Sequence, residues 1–251
     1  LQQQAHSRLG FSARQTMRAA QGLYERGLIT YMRTDSVNLS SESIAEGNKW
    51  ITTALGKKYA LKSPRVFKAK SKLAQEAHEA IRPTKPTIVP LEFGGKHSFE
   101  DTHYEKLYDL IWRRFVASQL PQAVFDATAI SINAVAKERS YGLRANGNVM
   151  KFDGFLRVWR TKISETQLPE LDKGVKLDLV NIESEQHFTE PPPRYNEASL
   201  VKTLEEHGIG RPSTYAPIIH VIQARNYVEK DEGKRFAPTK TGEMVNKMMT
   251  D

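Results

Sequence analysis

The feature that most constrains this chain is a change of periodicity that occurs twice. From Ser12 to Ala117 apolar residues recur at helical spacing in separate stretches. From Ala123 to Ile182 that period is lost, and Val, Ile, Thr and Phe crowd together. After Pro191-Pro192-Pro193 the helical spacing returns. Faces of period 3.6 and of period 2 must be buried in different ways, so no single bundle, sandwich or barrel accommodates both switches. The expectation is a multidomain α+β protein: residues 1–120 a helical domain with a helix-turn-helix, 121–190 a β-rich segment, and 191–251 an incomplete winged-helix segment that ends inside a further helical pattern begun at Thr241. The 251 residues suffice for one to three cores.

In the first region, Ser12-Ala13-Arg14-Gln15 has the spacing of a capping box. Ala13, Met17, Ala20 and Tyr24 follow at helical intervals, and Gly27 supplies the stop. Leu28 to Met32 reads as a short apolar strand. Ser40 or Ser41 opens a second helix through Ile44 and Ile51, ended by Gly56. Thr102-His103-Tyr104-Glu105 reads as another capping box, leading an amphipathic helix through Phe115 that stops before Pro121.

In the second region Ala123 to Val135 is a strand. Asn146-Gly147, between Tyr141–Ala145 and Val149–Phe152, is a strong hairpin signal, because both turn positions favour positive φ. Lys173-Gly174 marks a turn before a strand from Val175 to Ile182. The three prolines form a stiff joint. Beyond it Asn196 caps a helix ending at Gly208, Ser213 caps the next, and Tyr227-Val228 pairs with Phe236-Ala237 as a wing. Helix, glycine turn, helix, strand therefore occurs at Gly10 and again at Gly208, with 18 and 19 residues from glycine to strand. Two helix-turn-helix units of winged-helix type are expected.

Composition narrows function by exclusion. The chain has no Cys, which removes disulfides, iron–sulfur clusters and thiolate zinc sites. No apolar run approaches the ~20 residues of a membrane-spanning helix. The 37 Lys and Arg outnumber 29 Asp and Glu, a net charge of +8 that favours a polyanionic partner. Both ends fall inside helical patterns, so a piece of a longer protein is expected. Trp50, Trp112 and Trp159 sit in amphipathic or β patterns and read as core, and the basic runs, such as Lys57-Lys58 and Arg113-Arg114, as solvated faces.

The densest chemistry is Tyr31-Met32-Arg33-Thr34-Asp35-Ser36. On a strand Tyr31 and Arg33 share a face. A phenol that attacks a phosphodiester needs its own charge and that developing on phosphorus stabilised, and a guanidinium fork supplies both. This hexapeptide, preceded by Gly27-Leu28-Ile29-Thr30, resembles the active-site motif of type IA DNA topoisomerases. Three further blocks resemble the family in order: Gln75-Glu76-Ala77-His78-Glu79-Ala80-Ile81-Arg82-Pro83, Leu107 to Ala117, and Glu205 to Tyr215 with Gly208-Ile209-Gly210-Arg211-Pro212-Ser213-Thr214 at its centre.

The resemblance implies roles. Tyr31 is the nucleophile that keeps a 5′-phosphate as a phosphotyrosine ester, and Arg33 holds the scissile phosphate. His78 lies near the active site, linked to Asp35, and an Asp–His pair favours the imidazolium beside phosphate. Arg211, Ser213 and Thr214, at a helix N-terminus, contact the backbone of single-stranded DNA, where orphan N–H groups and the dipole favour anions. Arg225 does the same one helix later, and Thr34 and Asp35 of the motif are expected to be DNA-binding with His78. The resemblance also makes residues 121–190 part of a β arch between the two helical domains. It implies Mg²⁺ for the intact enzyme, bound by a preceding acidic domain, since no Asp-x-Asp occurs here and no metal ligands are assigned in this chain. Expected partners are single-stranded and negatively supercoiled DNA, with no membrane, for a monomer in the bacterial cytoplasm at the nucleoid. The alternative is a non-catalytic winged-helix DNA-binding protein.

Overall fold

A computed structural model describes residues 1–67, 79–95, 99 and 101–250. Among them are seven α-helices and two antiparallel two-stranded sheets. The chain divides into two compact units, Leu1–Leu120 with Pro193–Asp251, and Pro121–Pro192.

The first unit is built by helices that name their own starts. Helix α1 (Gln2–Leu9) ends at Gly10 in the left-handed region, φ 70°. Helix α2 (Ala13–Glu25) opens with the expected box: the Ser12 hydroxyl accepts from Gln15 N, and the Gln15 side chain accepts from Ser12 N. Its buried stripe is Ala13, Thr16, Ala20 and Leu23, so Tyr24, expected in the core, is turned outward and exposed. Helix α3 (Ser41–Ala54) is capped by Ser40, with Ile44 and Ile51 buried. Helix α4 (Thr102–Ser118) is capped by Asp101, whose carboxylate accepts from His103 N. The Thr102 box is thereby displaced by one residue, because the carboxylate one place earlier already takes the orphan N–H.

Helix α4 is the centre of the core. Trp112 is fully buried and donates its indole N–H to Pro86 O at 2.9 Å, while Trp50 meets it edge-on at 4.7 Å. Tyr108 donates to Ile88 O, and burial pushes its phenol well above the ordinary range. Arg113 is bound to Asp109 and Glu92, a structural use of a basic pair. Gly22 lets α2 approach α4: a Cβ there would lie 2.5 Å from the Tyr104 hydroxyl.

Residues 193–250 pack on the same unit. Helix α5 (Glu197–Glu206) is capped by Asn196, and its turn closes at Gly208, φ 69°. Helix α6 (Tyr215–Ala224) follows, then β3 (Val228–Lys230), β4 (Phe236–Pro238) and α7 (Lys240–Thr250). The expected hairpin β3–β4 is present. Thr214, not Ser213, is the N-cap of α6, because its hydroxyl closes a turn on the Arg211 backbone. Ala13, Val201, Tyr215, Ala216, Ile219 and Phe236 form one apolar cluster. Beside it Glu197, only 4% exposed, accepts from Ala13 N and from Lys230 Nζ, both at 2.6 Å.

The second unit holds two long strands, β1 (Val124–Ala136) and β2 (Arg139–Phe152). Their turn lies at Lys137-Glu138, with Lys137 at φ 56°, and the expected Asn146-Gly147 turn is absent. Asn146 and Gly147 are instead extended, paired with Ala129 and Thr128. Glycine is needed there for another reason. Residues 166–168 cross it so closely that a Cβ would stand 2.8 Å from Thr166 O and 2.7 Å from Leu168 Cγ. The Lys173-Gly174 turn forms, but Val175–Ile182 joins no ladder among the described residues. Alternation alone does not make a strand when no neighbouring backbone accepts its hydrogen bonds.

Candidate active site

Leu28 to Met32, expected as a strand, is reduced to one bridge, Ile29 opposite Pro83. Thr84 N donates to Leu28 O and Thr30 N to Arg82 O, and the ladder goes no further because Leu28 N donates to Leu23 O and Arg82 N to the Thr30 hydroxyl rather than across the pair. Thr30 completes the anchor: its hydroxyl accepts from Arg82 N at 2.9 Å and donates to Ala80 O at 2.7 Å. The chain then bends at Met32 and Arg33. Met32 is buried while Tyr31 and Arg33 are exposed, so the alternation expected of a strand survives without one.

Tyr31 and Arg33 line one cleft of about 750 Å³, whose other wall is α2. Tyr31 is 45% exposed, and Tyr24 stands edge-on to its ring at 5.3 Å. Neither the Tyr31 hydroxyl nor the Arg33 guanidinium has a hydrogen-bond partner among the described residues. Both are therefore free to meet a ligand. Arg14, Arg18, Gln21 and Glu25 line the same cleft. Sequence reasoning missed them by following only the apolar stripe of α2; their spacing of four, three and four residues was the available signal.

Thr34 and Asp35 face a second, smaller cleft of about 170 Å³, which Arg211 and Glu205 also line. The two clefts share Met17. Tyr215, another residue that sequence reasoning passed over, borders the second cleft. Burial pushes its phenol up, Glu205 adds to this, Arg211 opposes it and Asp35 adds again, so three charged groups converge on one ring. Motif and turn, some 175 residues apart in sequence, are thus brought together at Asp35 and Arg211. Ser213 and Thr214 are exposed on the Arg211 turn but line neither cleft. Arg225 lies at the opposite end of α6, as its C-cap, and is not brought to the others. His78 lies outside the described residues, though Glu79, next to it, is anchored. Glu79 accepts from Ser40 N and, bidentately, from Arg82 at 2.8 Å. Burial works to raise its carboxyl, but the Arg82 and Ser40 hydrogen bonds overrule it and hold the group below the ordinary range.

An exposed phenol thus shares a cleft with three arginines and one glutamate. The family model for DNA topoisomerase matches residues 1–251, and the chain belongs to the DNA topoisomerase family. It is 48% identical to "DNA topoisomerase 1" of Rickettsia felis, with 98% of this chain covering 33% of that protein. It is 48% identical to that of Vibrio cholerae, with 98% of this chain covering 27% of the relative. Full-length topoisomerase I from Thermotoga maritima superposes with a TM-score of 0.83 at 36% identity, over 99% of this chain and 40% of that one. The chain thus spans a third or less of the curated relatives' length.

Proposed function

We propose that this chain is the tyrosine-bearing section of a type IA DNA topoisomerase, in which Tyr31 cuts one DNA strand and later reseals it. The reading is carried by the shared exposure of Tyr31 and Arg33 on one cleft wall. Tyr31 Oη attacks a backbone phosphorus. The Oη–P bond forms as the bond to the 3′-oxygen breaks; the phenol loses its proton and the 3′-oxygen ends as a hydroxyl. One ester replaces another, so attack by that hydroxyl restores the strand without a nucleotide. A free phenol titrates near ~10, so its negative form must be favoured as it reacts. The Arg33 fork, on the same cleft as Tyr31, offers two donors toward the phosphoryl oxygens.

On this reading Arg211 holds the backbone of single-stranded DNA at the second cleft, with the Ser213 and Thr214 hydroxyls on the same turn. Arg225 extends the contact along α6. Asp35 orients His78, whose imidazolium adds charge near the phosphate. Helices α5 and α6 with the hairpin fit a winged-helix module. The intact enzyme, an isomerase of the bacterial cytoplasm, relaxes negatively supercoiled DNA. Family membership calls for Mg²⁺ there. Among the described residues no group of three or more His, Asp or Glu could hold a metal ion, so the residues present do not fit the ion by themselves.

Covalent capture tests this. The chain is combined with the remaining parts of a family member, Mg²⁺ and an end-labelled single-stranded oligonucleotide, then denatured during reaction. Label should remain on the protein through Tyr31 and disappear in Tyr31→Phe. Tight binding with no protein-linked label in either case would mark a non-catalytic DNA-binding module instead.

A further inference from the structure

The proposed function uses Arg33 in the larger cleft and leaves Arg14 and Arg18 without a task. Helix α2 points its C-terminal end at the nucleophile, since Tyr24 touches the Tyr31 ring. Arg18 and Arg14 lie six and ten residues back from Tyr24, about 9 and 15 Å along the axis. Both are exposed, and neither makes an ion pair or hydrogen bond among the described residues. Asp101 feels Arg18 through its field, but its carboxylate is engaged by His103. Of the residues lining the cleft only Glu25 is anionic, and Gln21 holds it at 2.7 Å. Cations within a Debye length of about 10 Å, and ion-paired with no carboxylate among the described residues, repel one another until a polyanion joins them.

We propose that this cleft carries the strand on the 5′-phosphate side of the break. Once Tyr31 holds the 5′-phosphoryl group, the following nucleotides run back along α2, their phosphates against Arg18 and then Arg14. Arg33 serves the scissile phosphate, and these two cations lie about 9 and 15 Å back along the helix from Tyr24. They stand where the next phosphates pass. Such contacts place the strand without reading its bases. The second cleft, with Arg211, is left for the segment that ends in the free 3′-hydroxyl. This inference rests on Tyr31 being the nucleophile.

The chain has no Cys, so Tyr31→Cys supplies a single thiol at the phenol's place. Single-stranded oligonucleotides carrying a 5′-terminal pyridyl disulfide are coupled to it by thiol–disulfide exchange. Methylphosphonates at the second and third linkages should slow coupling. Arg14→Gln with Arg18→Gln should slow it similarly and remove any further effect of the methylphosphonates. The slope of log rate against log salt should fall by about 1.4, some 0.7 per lost phosphate contact. A neutral pyridyl disulfide should react equally with both proteins, which excludes a change in the thiol itself. Circular dichroism should show both folded, since the two side chains are exposed and unbonded. Equal sensitivity to methylphosphonates in both proteins overturns the proposal. Arginine-insensitive coupling, where the parent chain with Tyr31 passes the capture test, sinks the strand path alone, whereas arginine-dependent coupling, where the parent chain fails it, supports the path and removes the nucleophile.

Discussion

Thr30 and Arg82 hold each other through backbone and side chain together: Thr30 N donates to Arg82 O, and Arg82 N donates to the Thr30 hydroxyl, each at 2.9 Å. Tyr31 is the next residue. The position of an exposed phenol is thus set by a lock spanning 52 residues of sequence. Thr30→Val keeps the shape but leaves Arg82 N and Ala80 O without their partner. It should destabilise the chain by about 1–3 kcal/mol, read as a lower urea midpoint at unchanged slope. In the capture assay it should slow ester formation while Tyr31 itself is intact.

Tyr31→Phe should leave thermal stability unchanged, because the lost hydroxyl is exposed and bonded to nothing described. It should abolish the ester completely. Arg33→Ala should lower the cleavage rate by roughly 10²–10³ if the guanidinium acts on charge that develops during reaction. Oligonucleotide affinity should fall much less; equal losses in both would reduce Arg33 to a phosphate anchor.

Glu79 gives a pH signature. Its carboxyl titrates below the ordinary 4.5 in the folded chain. A depressed carboxyl contributes stability that is present above its unfolded value and is lost as pH falls through the folded one. Unfolding midpoints should therefore fall below about pH 4.5 more steeply in the parent chain than in Glu79→Gln, and the two curves should run parallel above pH 6. Identical acid limbs would mean that the Arg82 fork does not set this group.

Glu197→Ala removes a buried acceptor from the start of α2 and from Lys230. Lys230 is 34% exposed on its side chain and recovers water, whereas Ala13 N is buried and does not. A loss of about 2–3 kcal/mol is expected, below that of a fully buried pair. Glu197→Gln keeps an acceptor and should recover part of it. Calorimetric midpoints of the two variants check the order.

Gly147→Ala should disturb the crossing of residues 166–168 and spare the long hairpin. Asn148 and Thr166 exchange two backbone hydrogen bonds, at 2.8 and 3.0 Å. Their amides should lose protection from hydrogen exchange in the variant, while those of Ile130 and Ile132 keep it. Uniform loss across both strands would mean that the crossing supports the whole unit.

What could be read from the amino acids alone was whatever closes within a few residues. The caps at Ser12, Ser40 and Asn196, the glycine stops at positive φ and the β3–β4 hairpin are local bonds between near neighbours, and each stands where the spacing put it. The tyrosine hexapeptide was legible for the same reason, as a cluster of reactive groups in one short segment. Folding in three dimensions settled the rest. Asn146-Gly147 lost its turn because a distant segment crosses at that glycine. Leu28–Met32 kept a single bridge because Leu28 N turns back to Leu23 O and Arg82 N bonds the Thr30 hydroxyl. Arg14, Arg18, Asp35 and Arg211 acquired their neighbours only when α2 and the Gly208 turn packed around the tyrosine segment. Local hydrogen bonds depend on residue type and spacing, which a sequence displays. Contacts across 50 to 200 residues depend on which faces are buried together, and one chain read in order does not record that choice.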